Sequence, residues 1–128
     1  MNGMYYVGKI DIRIFRCINP DIITDDVIIT DERISHIKER HPNDYELYCR
    51  FLTESVERPD YIIEANKPSS ALILKAFERN EKQFKIVLRL ATSTDDPKFK
   101  NSIITFMKIN DQEWSRLIRN KNILYKSE

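Results

Sequence analysis

Apolar residues recur at spacings of three and four in the first half of the chain and crowd into short runs in the second. Tyr5–Cys17 reads as extended, with Tyr, Val and Ile rising above scattered polar residues and Gly8 marking a bulge or kink. Asn19-Pro20-Asp21 is a turn signal. Val27–Ile29 reads as a short strand or as the lead into a helix. Thr30 is then a good N-cap, followed by Asp31 and Glu32 where carboxylates favour the positive end of a helix dipole. The spacing predicts a helix from Asp31 to about His41, with Ile34 and Ile37 inward and Pro42 forcing a break. A second helix is expected from Asn43 or Asp44, with Tyr45, Tyr48, Leu52 and Val56 as its apolar stripe and Pro59 at its end.

Beyond Pro59 the period changes. Tyr61–Glu64, Ala71–Phe77, Phe84–Leu90 and Ser102–Ile109 are short and rich in Ile, Val, Leu and Phe, and read as four strands. Asn66–Ser69 makes a turn, and the polar link Glu78–Lys82 predicts a hairpin between the second and third of these strands. Thr92–Lys98 is a longer loop in which Asp95-Asp96-Pro97 is most simply a turn. Asn110 or Asp111 caps a last helix, Gln112–Arg119, with Trp114, Leu117 and Ile118 inward, and Ile123-Leu124-Tyr125 is a candidate final strand. Helices first and an antiparallel sheet after them give the α+β class, with a sheet of four strands or slightly more. No repeat or linker interrupts the pattern, so one domain is expected over residues 1–128. Residues 1–26 would form an extended N-terminal arm, and 27–126 the core.

Composition narrows the class. At 128 residues, 41% hydrophobic and 32% charged, the chain suits a folded domain with a modest core. No apolar run approaches the roughly 20 residues that cross a bilayer, and no signal-peptide pattern opens the chain. Cys17 and Cys49 are isolated, which fits a reduced, cytoplasmic setting. Charge is uneven: residues 1–70 carry 9 Lys/Arg against 13 Asp/Glu, and residues 71–128 carry 12 against 7. A basic second half attracts a polyanion, although a solvated surface of mixed charge explains the same numbers.

Both histidines fall in one segment, His36-Ile-Lys-Glu-Arg-His41. Histidine alone has an unperturbed pKa near neutrality, so the cluster invites an acid–base reading. At about 100° per residue His36 shares a face with Arg40, whereas His41 falls near the line of Ile34, on the core-facing side at the helix C-terminus. There it is either a general acid or base or a core histidine bonded to a backbone carbonyl; His36 alone reads as a surface residue. A zinc pair on a helix wants a spacing of four, and five spoils it, so no metal or other cofactor is expected. In the strands, Arg89 is flanked by apolar residues and Lys75 follows Leu72-Ile73-Leu74, and a charge there needs a partner. They could hold a phosphate together with the hydroxyls of Ser102 and Thr105. They could equally lie on a polar sheet face or pair with Glu39 or Glu64. Strict alternation would place Ser102 and Thr105 on opposite faces. Two glycines leave no Gly-rich phosphate loop, and there is no nucleophile elbow.

Several segments, in this order, carry a resemblance: ITDERISHIKERHP at Ile29–Pro42, RPDYIIEANKP at Arg58–Pro68, ALILK at Ala71–Lys75, FKIVLRL at Phe84–Leu90, KNSIITFMKI at Lys100–Ile109 and LIRNKNILYK at Leu117–Lys126. Over about three quarters of its length the chain resembles a phage-associated family of the barnase–EndoU–colicin–RelE nuclease superfamily. The resemblance implies a barnase- or RelE-like fold of helices on a four-stranded antiparallel sheet. It also implies metal-independent cleavage of RNA by attack of the ribose 2′-hydroxyl. It matches His41 to an Arg-His motif as base or acid with His36 as partner, gives Lys75 and Arg89 the phosphate charge, and matches Ser102 and Thr105 to a Ser-x-x-Thr strand motif. Members occur in prophages and mobile elements, which implies a toxin or effector role, with an antidote or a phage or host protein as partner. The alternative is a catalytically inactive RNA- or protein-binding phage protein of the same fold. Oligomeric state, RNA preference and the role of residues 1–26 are not readable from the sequence.

Overall fold

A computed structural model describes residues 3–127, so Met1, Asn2 and Glu128 lie outside the described residues. Seven strands form one mixed sheet. In chain order they are β1 (Met4–Lys9), β2 (Asp26–Thr30), β3 (Tyr61–Glu64), β4 (Ser70–Phe77), β5 (Lys82–Arg89), β6 (Asn101–Ile109) and β7 (Ile123–Lys126). Their spatial order is β1-β2-β6-β5-β4-β3-β7. Neighbours are antiparallel except β2 and β6, where Val27 pairs with Asn101 and Ile28 with Ser102 in parallel. The α+β class holds, but the sheet is larger than the expected four strands and is mixed. The extra pairings join segments far apart in sequence, and no local period encodes them.

The helices are α1 (Ile12–Phe15), α2 (Asp31–Arg40), α3 (Asp44–Tyr48), α4 (Leu52–Glu57) and α5 (Asp111–Asn120). The α2 boundaries match the sequence reading: Thr30 Oγ1 accepts from the Arg33 amide at 3.2 Å, and the helix closes at His41. Two expectations are corrected. Tyr5–Cys17 is not extended throughout, because Asp11 caps a short helix by accepting from the Arg13 amide at 3.0 Å. The expected helix from Asn43 to Pro59 is broken by a 3-10 turn, Cys49–Phe51, which swings Phe51 onto Phe77 and Phe84 at centroid distances of 4.7 and 5.2 Å. Val27–Ile29 is a strand, and the β4–β5 hairpin forms, closed by a 3-10 turn with Glu81 left-handed at φ 54°.

The two sheet faces differ in cover. Ile37, Phe51, Leu52 and Val56 from the helices after β2 pack on Ile73, Phe84, Ile86, Leu88, Ile103 and Phe106, all buried. Burial on this scale is worth about 2–3 kcal/mol per large side chain. On the other face α5 lays Trp114, Leu117 and Ile118 over Leu72, Leu74, Met107 and Ile109. Because α5 is one short helix, it shields only one end of that face.

Candidate functional site

The uncovered end of the second face holds a groove of about 650 Å³. Its floor is apolar, built from Leu72 of β4, Val87 of β5 and Ile104 of β6. Four cations line it: Arg33 from the first turn of α2, Lys67 from the β3–β4 loop, Arg89 at the end of β5 and Lys121 just after α5. No carboxylate is among the lining residues. Cations gathered over a low-dielectric floor make a site for an anion. Aliphatic side chains beneath them suit the face of a base or sugar.

Strand register explains how Arg89 reaches this groove. In the hairpin Arg89 pairs with Ser70 and Val87 with Leu72, while Phe84 pairs with Lys75. Directly paired residues point to the same face, and successive residues to opposite ones. Arg89 therefore shares the open face with Val87, and Lys75 shares the helix-covered face with Phe84. The two cations that looked equivalent in the sequence do not meet. Lys75 is consumed on its own side: its Nζ donates to the Arg58 carbonyl at 2.7 Å and lies 3.4 Å from Asp60 Oδ1 and 3.9 Å from Glu54. Its side chain is 11% exposed.

On β6 Ser102 pairs with Arg89 and Thr105 with Val87, with a register shift between these pairs that leaves Ile104 as an extra residue. This bulge brings Ser102 and Thr105 onto the sheet face that Arg89 and Val87 share, where strict alternation would have separated them, but of β6 it is Ile104 that lines the groove, and neither hydroxyl residue does. Arg89 pairs with Asp95 through two hydrogen bonds, Nη1 to Oδ2 at 3.1 Å and Nη2 to Oδ1 at 2.9 Å, not with Glu39 or Glu64. The Arg89 guanidinium and the Thr92 amide beside it hold the Asp95 carboxyl down at about 2. Beneath α5, Glu113 is likewise held at about 2, first by Arg116 and then by Lys85.

The histidines stand further off. Neither is among the groove-lining residues. Arg33, His36 and Arg40 share one stripe of α2, so His36 is one turn beyond a groove residue. His41 lies about 12 Å further along the helix axis than Arg33, in the direction of the buried Ile37. Both imidazoles are partly exposed. The sequence reading missed Arg33, Lys67 and Lys121, which come from a helix start, a loop and a helix exit and share no local pattern. It also missed Asn101, fully buried, whose Oδ1 accepts from the Ala91 amide at 2.8 Å while Nδ2 donates to the carbonyls of Thr24 and Asp26. Among the described residues no group of three or more His, Cys, Asp or Glu side chains is placed to share a metal ion, and no helix is long and apolar enough to cross a membrane.

An α+β sheet with an open cationic end suits an anionic ligand. Residues 7–126 match the family described as phage-Barnase-EndoU-ColicinE5/D-RelE like nuclease2, and the chain belongs to that family. The match takes in most of the N-terminal arm, which the sequence resemblance had left out. No curated protein and no solved structure matches the chain.

Proposed function

We propose that the chain is a small metal-independent endoribonuclease that cleaves RNA in the cationic groove. The observation that carries this reading is that groove: Arg89, Arg33, Lys67 and Lys121 around an aliphatic floor, with Ser102 and Thr105 outside its lining but on the same sheet face, paired with Arg89 and Val87. The ribose 2′-hydroxyl attacks the adjacent phosphate, a base takes its proton, and an acid protonates the leaving 5′-oxygen. Charge gathering on the phosphate oxygens is met by the side-chain cations, foremost Arg89. Ser102 and Thr105 orient the phosphate. Lys75 has no part in this, since it faces the other side of the sheet. For proton transfer we favour His36, which stands one helical turn from Arg33, over His41 at the far end of α2.

A second reading has an observation of its own. Cations and aliphatic groups line the groove and no histidine does, which favours a member that holds RNA without cutting it. A toxin role, with an antidote protein as partner, rests on the phage association of the family. The test is incubation of a mixed RNA pool in EDTA with wild type, Arg89→Ala and His36→Ala. Cleavage that survives chelation, leaves 2′,3′-cyclic phosphate ends and falls in both variants supports the enzyme. RNA that is bound but stays intact supports the binding module.

A further inference from the structure

We propose that Asp95 is the positioning residue of the groove: it fixes the Arg89 guanidinium so that its Nε–Nη2 edge forms a two-pronged seat for one phosphate of the substrate. The proposal rests on the reading of Arg89 as the phosphate-binding group.

A donor count supports it. Arginine carries five N–H donors in a planar fork. Arg89 Nη1 spends its two on the Leu90 carbonyl and on Asp95 Oδ2, and Nη2 spends one on Asp95 Oδ1. Two donors remain, one on Nη2 and one on Nε, and they lie side by side on a single edge of the plane. Among the described residues no acceptor takes them. Two parallel N–H groups match two oxygens of a phosphate, which a lysine at this position could not reproduce. Asp95 thus occupies the end of the fork and leaves its side free.

Asp95 is itself held from two directions. Its Oδ2 accepts from the Thr92 amide at 2.9 Å, and its own amide donates to the Thr92 carbonyl at 3.0 Å. The turn is then tied to the N-terminal arm. Asp21 Oδ2 accepts from the Ser93 amide at 3.1 Å and from the Ser93 hydroxyl, and Ile22 bridges Thr92. Asn101 joins Ala91 to Thr24 and Asp26. This gives the segment before β2 a place in the site: it braces the turn that aims Arg89.

The positioning role and simple electrostatics predict opposite outcomes. Removing a carboxylate beside an anion site should tighten anion binding by Coulomb's law alone. Positioning predicts weaker binding, because a released arginine must be reordered at each binding event. The experiment follows the Arg89 Nε–H signal by NMR, assigned by its loss in Arg89→Lys, during titration with inorganic phosphate and with a 2′-O-methyl RNA hexamer that cannot be cleaved. In wild type both probes should shift the signal. In Asp95→Asn the hexamer affinity should fall about tenfold, the scale of losing a hydrogen bond to a charged group. In the Arg89→Lys background Asp95→Asn should cost nothing further, since its effect passes through Arg89. Asp21→Asn, which loosens only the brace, should give a smaller loss in the same direction and serves if Asp95→Asn fails to fold. Equal or tighter binding by Asp95→Asn, or an equal loss in the Arg89→Lys background, overturns the proposal. A hexamer that binds without moving the Nε–H signal removes the seat and leaves the RNA reading standing. Phosphate that moves the signal while the hexamer does not bind removes the RNA reading and leaves the seat. If neither probe binds, both fall.

Discussion

Lys75 and Arg89 each interrupt an apolar run in the sequence, and the sheet sends them to opposite faces. On the covered face Lys75 is boxed in by Arg58, Asp60 and Glu54 and locks β4 to the segment before β3. On the open face Arg89 meets one carboxylate, keeps two donors free and looks into a groove with three further cations. One cation is therefore a structural tie, and the other is the phosphate-binding group of the proposed reaction. Neighbouring residue types do not separate the two cases. Hairpin register does.

Perturbing each face should break that pairing of roles in its own way, and the largest effect belongs to the shared core. Phe84 is fully buried and stacks on Phe51 and Phe106. Phe84→Ala should cost about 3–5 kcal/mol in urea unfolding and remove both functions together. Arg89→Ala should lower kcat/KM on RNA by about 100-fold, the cost of losing one transition-state donor group, and should also lower the melting temperature, because it leaves Asp95 without its partner. Lys75→Met should touch stability alone. It strands the Arg58 carbonyl and Asp60, which costs about 2–3 kcal/mol in stability, and it leaves kcat/KM within about twofold of wild type.

Acid should reach both carboxylate clamps of the open face. Asp95 and Glu113 titrate at about 2 in the fold, below the ordinary 3.8 and 4.5. A depressed folded pKa gives stability that is complete above the ordinary value and is lost as pH falls toward the folded one. The melting temperature should therefore drop between pH 4.5 and 2, and Asp95→Asn and Glu113→Gln should each flatten that drop. Smallest of all, Glu81 is left-handed at φ 54° in the hairpin that sets the faces of Lys75 and Arg89. Glu81→Gly should gain about 0.5–1 kcal/mol and change nothing in the groove.

Much of the fold was legible where local chemistry decides it. Thr30 and Pro42 bracket α2, and Tyr61–Glu64 and the strands after it follow from short β-rich runs. Parallel pairing of β2 with β6 was not legible, because it joins segments more than 70 residues apart by shape alone. At the site, Arg89 was found as a charge that needed a partner, but the partner, Asp95, looked like an ordinary turn. Alternation put Ser102 and Thr105 on opposite faces, and one bulged residue, Ile104, reunites them. Lys75 was grouped with Arg89 because its face depends on where the hairpin closes, which composition does not specify. Arg33, Lys67 and Lys121 become neighbours only after the sheet and α5 are in place.

The most direct test of the open-face account is a methyl NMR titration of the protein with the uncleavable 2′-O-methyl RNA hexamer. Leu72, Val87 and Ile104 report from the groove floor, and Ile73, Ile86 and Ile103 report from the covered face of the same strands. The account predicts shifts at the first three and quiet signals from the second three. Shifts confined to the covered face, or to the surroundings of Lys75, would contradict it.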